Sequence, residues 1–474
     1  MNILFMTSEA APFSASGGLG DVMGALPKAM LNLPGVDGVS CILPLYQSLK
    51  DEYRCKLQKV IDIQFYLGWR KTGASIYSIL HQGVVYYFVE NHYYFGRRSL
   101  YGEYDDGERF AFFSRAVVEY MKQSGNVPDI LHANDWQSAL GVVYLKTIFQ
   151  KDEQLSKVRT VYTIHNIEYQ GKFSLDIIDD VFGISSEFSN ILTYDGCTNL
   201  MKAAIVCSDY VTTVSPNYAK ELKYDFFSFG LSPIVRDYEN KMAGIINGID
   251  YSVFSPENGI EISHPFGIEN LKEGKLKNKL AFQRELKLRE DESVPLIAVV
   301  TRLASQKGID LLLHILDELL EENIQLVVLG TGEKEYEDAL FAAEFRYPDK
   351  MRALIKFDRA LSKRIYASAD LFLMPSKSEP CGLAQMISCS YGTIPLVRAV
   401  GGLYDTITPY GEEGSIGFTF ENYNAHELLF KIKEALGIFH QKEEWAALVC
   451  RAKQKRFTWD ASAQSYLDIY NKLI

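Results

Sequence analysis

No run in this sequence stays apolar long enough to cross a bilayer, and its seven cysteines include no Cys-x-x-Cys pair. The first absence argues against a helical membrane protein. The second, with the odd count, argues against a disulfide framework and predicts a reduced, cytoplasmic protein. The eight histidines show neither His-Glu-x-x-His nor His-x-His spacing, and Asp-x-Asp does not occur, so a metal site has little support. Basic charge is also scarce: 60 acidic residues against 49 basic ones leave a net charge of −11, with no basic patch to override it. Nucleic acid and anionic membrane are therefore excluded as partners. Neither G-x-G-x-x-G nor G-x-x-x-x-G-K-[ST] is present, so nicotinamide and P-loop chemistry have no support. The apolar start is interrupted by Glu9 and lacks the basic leader of a signal peptide. Repeats and low-complexity tracts are missing too.

What is present is a regular alternation. Short apolar strands, "NILFMT", "VSCILPLY", "DILHAN", "TVYTIHN" and "YVTTVS", alternate with amphipathic helices through the first half. This is the rhythm of βαβ units on a parallel sheet. The exception is "ASIYSILHQGVVYYFVE", which reads as a hairpin turning at His81-Gln82-Gly83. The rhythm restarts at "PLIAVVTRL" and runs through "IQLVVLGTGE", "ALIKF", "LFLMPS" and "IPLVRAVGG". With 474 residues, two doubly wound Rossmann-like domains are expected, facing a cleft lined by strand ends: 1–243, then 244–455. The tail 456–474 places Ala463, Tyr466, Leu467, Tyr470 and Leu473 on one face and predicts a helix.

Six segments carry candidate chemistry. In "SASGGLGDV", Gly17 and Gly18 stand between a strand and a helix, where bare amides suit phosphate, although a tight turn needs glycine without any ligand. That turn contains no lysine or arginine. In "TRLASQKGID", Arg302 and Lys307 follow a buried strand and suit neutralisation of a diphosphate, against the plain reading of a solvated pair. In "PSKSEPCGL", Glu379 is a candidate acceptor for sugar hydroxyls, Gly382 and Leu383 offer helix-start amides, and Cys381 reads as a packed thiol. "HANDW" and "TIHNIEYQG" place His132, Asp135, Trp136, His165 and Tyr169 at or beyond strand ends. The aromatic stretch "NHYYFGRRSLYGEYDDGERFAFF" suits a carbohydrate surface, and core packing accounts for at least half of it equally well.

Taken together, "SEAAPF", "GGLGDV", "DGERFAFFSRA", "HANDWQSAL", "TIHNIEYQG", "INGID", "TRLASQKGID", "PSKSEPCGL" and "YGTIPLVRAVGGL" follow one another in a family's order over nearly the whole chain. They resemble bacterial glycogen synthase and plant starch synthase, glucan-elongating glucosyltransferases of the GT-B fold. The resemblance implies retaining transfer of glucose from ADP-glucose to the non-reducing end of an α-1,4-glucan; the residue pattern itself predicts no metal, and no cofactor is expected. It implies that Arg302 and Lys307 meet the departing diphosphate and that Glu379 holds the donor glucose. His165 and Asp135 would sit by the reacting carbon and its hydroxyls. It further implies donor contacts from Gly17, Gly18 and Asp21, from Asn247 in "INGID", and from Cys381, Gly382 and Leu383, with Phe357 stacking on the base. The final helix would return to the first domain. One position departs: the family's Lys-x-Gly-Gly-Leu has Ala15 at the lysine. The alternatives are the same reaction with UDP-glucose or another nucleotide-sugar, and a non-catalytic glucan-binding relative.

Overall fold

In the computed structural model, which describes residues 1–259 and 261–474, the chain forms two compact units, Met1–Gly248 with Trp459–Ile474, and Ile249–Thr458. The first unit is built on β1 (Asn2–Met6), β2 (Gly38–Pro44), β3 (Gln58–Leu67), β4 (Arg70–His81), β5 (Val84–Glu90), β6 (Ile130–Asn134) and β7 (Arg159–Ile164). Three short strands follow, β8 (Lys172–Phe173), β9 (Thr193–Tyr194) and β10 (Cys197–Asn199), which form a small antiparallel sheet. Then β11 (Tyr210–Thr213) and β12 (Met242–Gly244) complete the main sheet, whose order is β12-β11-β7-β6-β1-β2-β5-β4-β3. Its first seven strands run parallel, and β4 and β3 add antiparallel at the edge.

The expected hairpin is the β4–β5 connection, where Gln82 and Gly83 both take positive φ, 50° and 84°. Such a two-residue turn matches the twist of the flanking strands. β3 continues the same meander through "QKVIDIQFYL", which the βα reading left unassigned. β12 pairs with β11, so Met242–Gly244 belongs to the first sheet and the chain crosses to the second unit only after Gly248.

The second unit carries a six-stranded, all-parallel sheet of β13 (Leu296–Val300), β14 (Gln325–Leu329), β15 (Met351–Leu354), β16 (Leu371–Met374), β17 (Ile394–Arg398) and β18 (Phe418–Phe420). Its order is β15-β14-β13-β16-β17-β18. β13 and β14 are almost wholly buried apolar runs, as strands covered by helices on both faces must be. In each unit the chain winds outward in two directions from a central pair, β1/β6 in one and β13/β16 in the other. Ligand sites in open α/β sheets lie at the carboxyl ends of such pairs, where the connecting loops diverge.

The terminal helix Trp459–Leu473 belongs to the first unit and buries Ala463, Tyr466, Leu467 and Tyr470 in its core. Tyr470 OH lies 2.6 Å from His132 Nδ1 in the middle of β6. On its other side, His132 Nε2 is 2.5 Å from Thr163 Oγ1, and Thr163 Oγ1 is 2.6 Å from Thr212 Oγ1. His132 is wholly buried, which drives its pKa down to about 3 and keeps the ring neutral. His132 thus ties the helix to three strands rather than facing solvent.

Candidate active site

In the first unit, three successive strand ends carry the candidates. The loop after β1 leads into the helix Gly18–Leu31, with Gly17 as its N-cap. Glu9, buried in that loop, organises it: its carboxylate accepts hydrogen bonds from the Ser16 amide, from Ser16 Oγ (2.7 Å), from the Gly17 amide (3.3 Å) and from Tyr101 OH (2.6 Å). Burial, then the Glu9 charge, pushes the Tyr101 hydroxyl pKa well above its ordinary value, so Tyr101 stays a donor. The Gly17 N–H is therefore committed to Glu9, whereas Gly18 is the first helical residue, whose amide has no intrahelical acceptor. Asp21 lies in the helix's first turn. Ala15 folds back so closely that a Cβ on Gly20 would stand 2.5 Å from the Ala15 methyl. The sequence reading missed Glu9 and Tyr101. The available signal was one carboxylate interrupting an apolar strand-to-turn segment.

Asp135 follows β6 with φ 56° and ψ 178°, a backbone region that only glycine enters freely. As the N-cap of helix Trp136–Lys146 it would ordinarily cap its own helix. Its side chain instead accepts from the next loop's amides, His165 (2.8 Å) and Asn166 (3.4 Å), while its own N–H donates to Thr163 O (3.0 Å). Desolvation raises the Asp135 pKa to about 7, the two amides pull against that, and Glu9 adds to it. His165, after β7, is half-buried and its pKa is lowered by desolvation to about 3, so the imidazole is neutral. Its Nε2 lies 2.9 Å from Asn134 Oδ1. A strained backbone, a carboxyl poised near neutrality and a neutral imidazole, all at adjoining strand ends, are features of a functional site.

Trp136 packs among Phe110 and Phe173 in the core, and Tyr169 is exposed. Of the aromatic stretch, Tyr94, Phe95, Phe110, Phe112 and Phe113 are buried, while Tyr93 and Tyr104 face solvent. Asn247, beyond β12, is buried, and its Oδ1 makes no hydrogen bond among the described residues.

In the second unit, the loop after β13 carries Arg302, exposed, and Lys307, at the end of a short 3-10 turn. Gly308 follows with φ 72°, and a Cβ there would stand 2.0 Å from Pro375 O. Only glycine lets this loop pack against the segment after β16. That contact brings Lys307 Nζ to 2.7 Å from Glu379 Oε2, across 72 residues of sequence. Ser376 Oγ donates to the same oxygen at 3.0 Å. The Glu379 side chain is 8% exposed and that of Lys307 20%. Behind them, Gly402 N donates to Glu379 O (3.1 Å), and a Cβ on Gly401 would stand 1.9 Å from that oxygen. Cys381 is a buried thiol, as expected of a packed cysteine. Gln385 Nε2 ties the turn by donating to the carbonyls of Cys381 and Gly382, both at 3.0 Å, and Leu383 is the N-cap of the helix Ala384–Ser390. Phe357, on the loop after β15, is 75% exposed. Among the described residues, no group of three or more His, Cys, Asp or Glu side chains is placed to hold a metal ion. No described helix is long and apolar enough to cross a membrane.

Comparisons with known proteins bear on the family and the fold. Residues 2–237 match the starch synthase catalytic domain, and residues 283–446 match glycosyl transferases group 1. Glycogen synthases of Bacillus cereus and Clostridium novyi (strain NT) are 44% and 42% identical over the whole chain, which covers 100% and 99% of their lengths. The chain belongs to the glycogen synthase family. As a family member it is a glycosyltransferase with glycogen synthase function, and its fold is GT-B. The catalytic domain of starch synthase IV from Arabidopsis thaliana, solved with ADP and acarbose, matches with a TM-score of 0.92 and 32% identity over 99% of both chains. Sucrose-phosphate synthase from Thermosynechococcus elongatus, 17% identical with a TM-score of 0.63 over 100% of this chain and 98% of its own, shares the fold.

Proposed function

We propose that this glycogen synthase family member transfers glucose from ADP-glucose, with retention, to the non-reducing end of an α-1,4-glucan. The observation that carries this is the Lys307–Glu379 pair at the β13/β16 switch point. A cation held by a buried carboxylate is preorganised, so it meets charge developing on a leaving diphosphate without reorganising first. Arg302, five residues earlier on the same loop, supplies the second cation, and Phe357 offers an exposed ring to the base. Glu379 retains acceptor capacity for donor-glucose hydroxyls. In the first unit, Asp135 and His165 bind sugar hydroxyls at the reacting end, and the Gly18 amide at the helix start takes a phosphate oxygen. The neutrality of His165 suits a hydrogen-bonding rather than a charge-neutralising role. Two relatives support the assignment by name and by ligand: the Bacillus cereus glycogen synthase, and the starch synthase IV structure holding ADP and acarbose.

The test is incorporation of labelled glucose into glycogen from ADP-glucose and from UDP-glucose, with the product digested by an enzyme specific for α-1,4 links. Faster transfer from ADP-glucose into digestible chains is expected. Preference for UDP-glucose would overturn the donor assignment, and resistant product the linkage.

A further inference from the structure

Asn134, the last residue of β6, is 1% exposed, and nothing in the reading of "HANDW" singled it out. Its Nδ2 lies 3.2 Å from the carbonyl oxygen of Met6 and 3.2 Å from that of His132. Both neighbours only accept hydrogen bonds, so the amide can be oriented one way: NH2 toward the carbonyls, oxygen away. The reversed amide would bury three oxygens against one another. That oxygen, Oδ1, lies 2.9 Å from His165 Nε2, and an acceptor facing Nε2 requires a hydrogen there. Desolvation keeps the His165 ring neutral, so it carries one N–H and no more. Nδ1 is left as a lone pair. It makes no hydrogen bond among the described residues and is not sealed from solvent. The backbone of His165 is held independently by Asp135.

We propose that Asn134 is a positioning residue: it fixes His165 as the Nε2–H tautomer and so reserves Nδ1 as a hydrogen-bond acceptor for a substrate hydroxyl. The hydroxyl half of this rests on the function proposed above; the tautomer does not. A neutral imidazole free to choose either tautomer would offer Nδ1 as a donor part of the time and meet a carbohydrate hydroxyl in the wrong sense.

The experiment is a two-bond nitrogen–proton correlation spectrum of the full-length protein labelled with nitrogen-15 histidine. The His165 signals are identified by their loss in His165→Gln. The wild-type protein, without substrate, should show His165 as Nε2–H; an Nδ1–H pattern would overturn the proposal outright. Asn134→Leu, which keeps the volume and removes the acceptor, should shift His165 toward a mixture of tautomers. It should also lower kcat at least about tenfold while donor KM changes little. Asn134→Asp keeps an acceptor oxygen toward Nε2, so it should retain the wild-type tautomer even though both variants lose stability. A His165 spectrum that stays pure Nε2–H in Asn134→Leu would assign Asn134 a structural role only. If Asn134→Leu does not fold, Asn134→Ala, which also removes the acceptor, is read in its place, and a pure Nε2–H spectrum there overturns the proposal. The spectra are read without substrate, so they stand or fall apart from the transfer assay.

Discussion

The two units carry the same architecture and use it for opposite electrostatics. In the first, desolvation works against charge: His165 is neutral and Asp135 is driven toward the protonated form, while Glu9 turns its carboxylate onto loop amides. In the second, charge is kept and paired, with Lys307 on Glu379 and Arg302 exposed on the loop that carries Lys307. Both sets sit at the switch point of a parallel sheet or one strand beyond it. The position is thus a property of the topology, while the chemistry is a property of the few side chains placed there. Under the proposed function, the desolvated set would meet neutral hydroxyls and the paired ionic set a diphosphate.

Lys307→Met should break this comparison most severely. It removes the preorganised cation and leaves Glu379 buried without its counter-charge. Turnover should fall by roughly a hundredfold or more. Stability should also fall, by somewhat less than the roughly 3–5 kcal/mol of a fully buried pair, because Lys307 is partly exposed. The double variant Lys307→Met, Glu379→Gln should recover stability but not activity. Steady-state kinetics, glycogen co-sedimentation and chemical denaturation check this, and near-normal turnover in Lys307→Met would end the assignment.

In the first unit the sharpest contrast is Asp135→Gly against Asp135→Ala. Both lose the carboxylate, but only glycine relieves the strained backbone. The glycine variant should be more stable than the alanine variant by about 1–3 kcal/mol, with both inactive. Equal melting temperatures would show that φ 56° stores no strain.

A pH series sharpens the same residue. Asp135 titrates near 7 when folded and near 3.8 when unfolded, so between those values the folded state binds the extra proton, and its stability falls as pH rises. His132 and His165 act oppositely: their folded pKa values near 3, against 6.5, make stability rise with pH up to about 6.5. Asp135→Asn removes only the first effect. The melting-temperature difference between Asp135→Asn and wild type should therefore grow in the variant's favour from pH 4 to pH 8. A difference independent of pH would mean that the carboxyl is not desolvated.

Smaller effects are expected at the glycine-rich turn and at the terminal helix. Ala15→Lys should tighten ADP-glucose binding by at most roughly 1–2 kcal/mol, less at high salt, because position 15 is exposed. Unchanged or weaker donor affinity would show that this loop does not serve the donor. Tyr470→Phe removes the hydroxyl facing His132 Nδ1 and should cost about 1 kcal/mol of stability. An unchanged melting temperature would show that the helix is held by packing alone.

Much of this was legible in the residues. The βα alternation, the hairpin at Gln82-Gly83 and the buried face of the final helix are local patterns of period 2 or 3.6 and need no tertiary knowledge. So is the rule that loops following buried strands collect functional groups. β3 escaped because its pattern alternates as an edge strand, unlike the continuous apolar runs around it. Glu9 and Asn134 escaped because a lone carboxylate or amide carries no periodicity, and its partners lie elsewhere in the sequence.

By itself, then, the sequence determined two doubly wound halves, where their strands end, and which residue types stand there, since local propensity and hydrophobic period suffice for that. Only the tertiary structure decided that Glu9 turns onto the amides of Ser16 and Gly17, that Lys307 meets Glu379, and that Asn134 faces His165. Those pairings depend on β13 lying beside β16, on β6 lying between β1 and β7, and on glycines that let backbones approach closely. Strand order is settled by long-range packing, not by any pattern within a single strand.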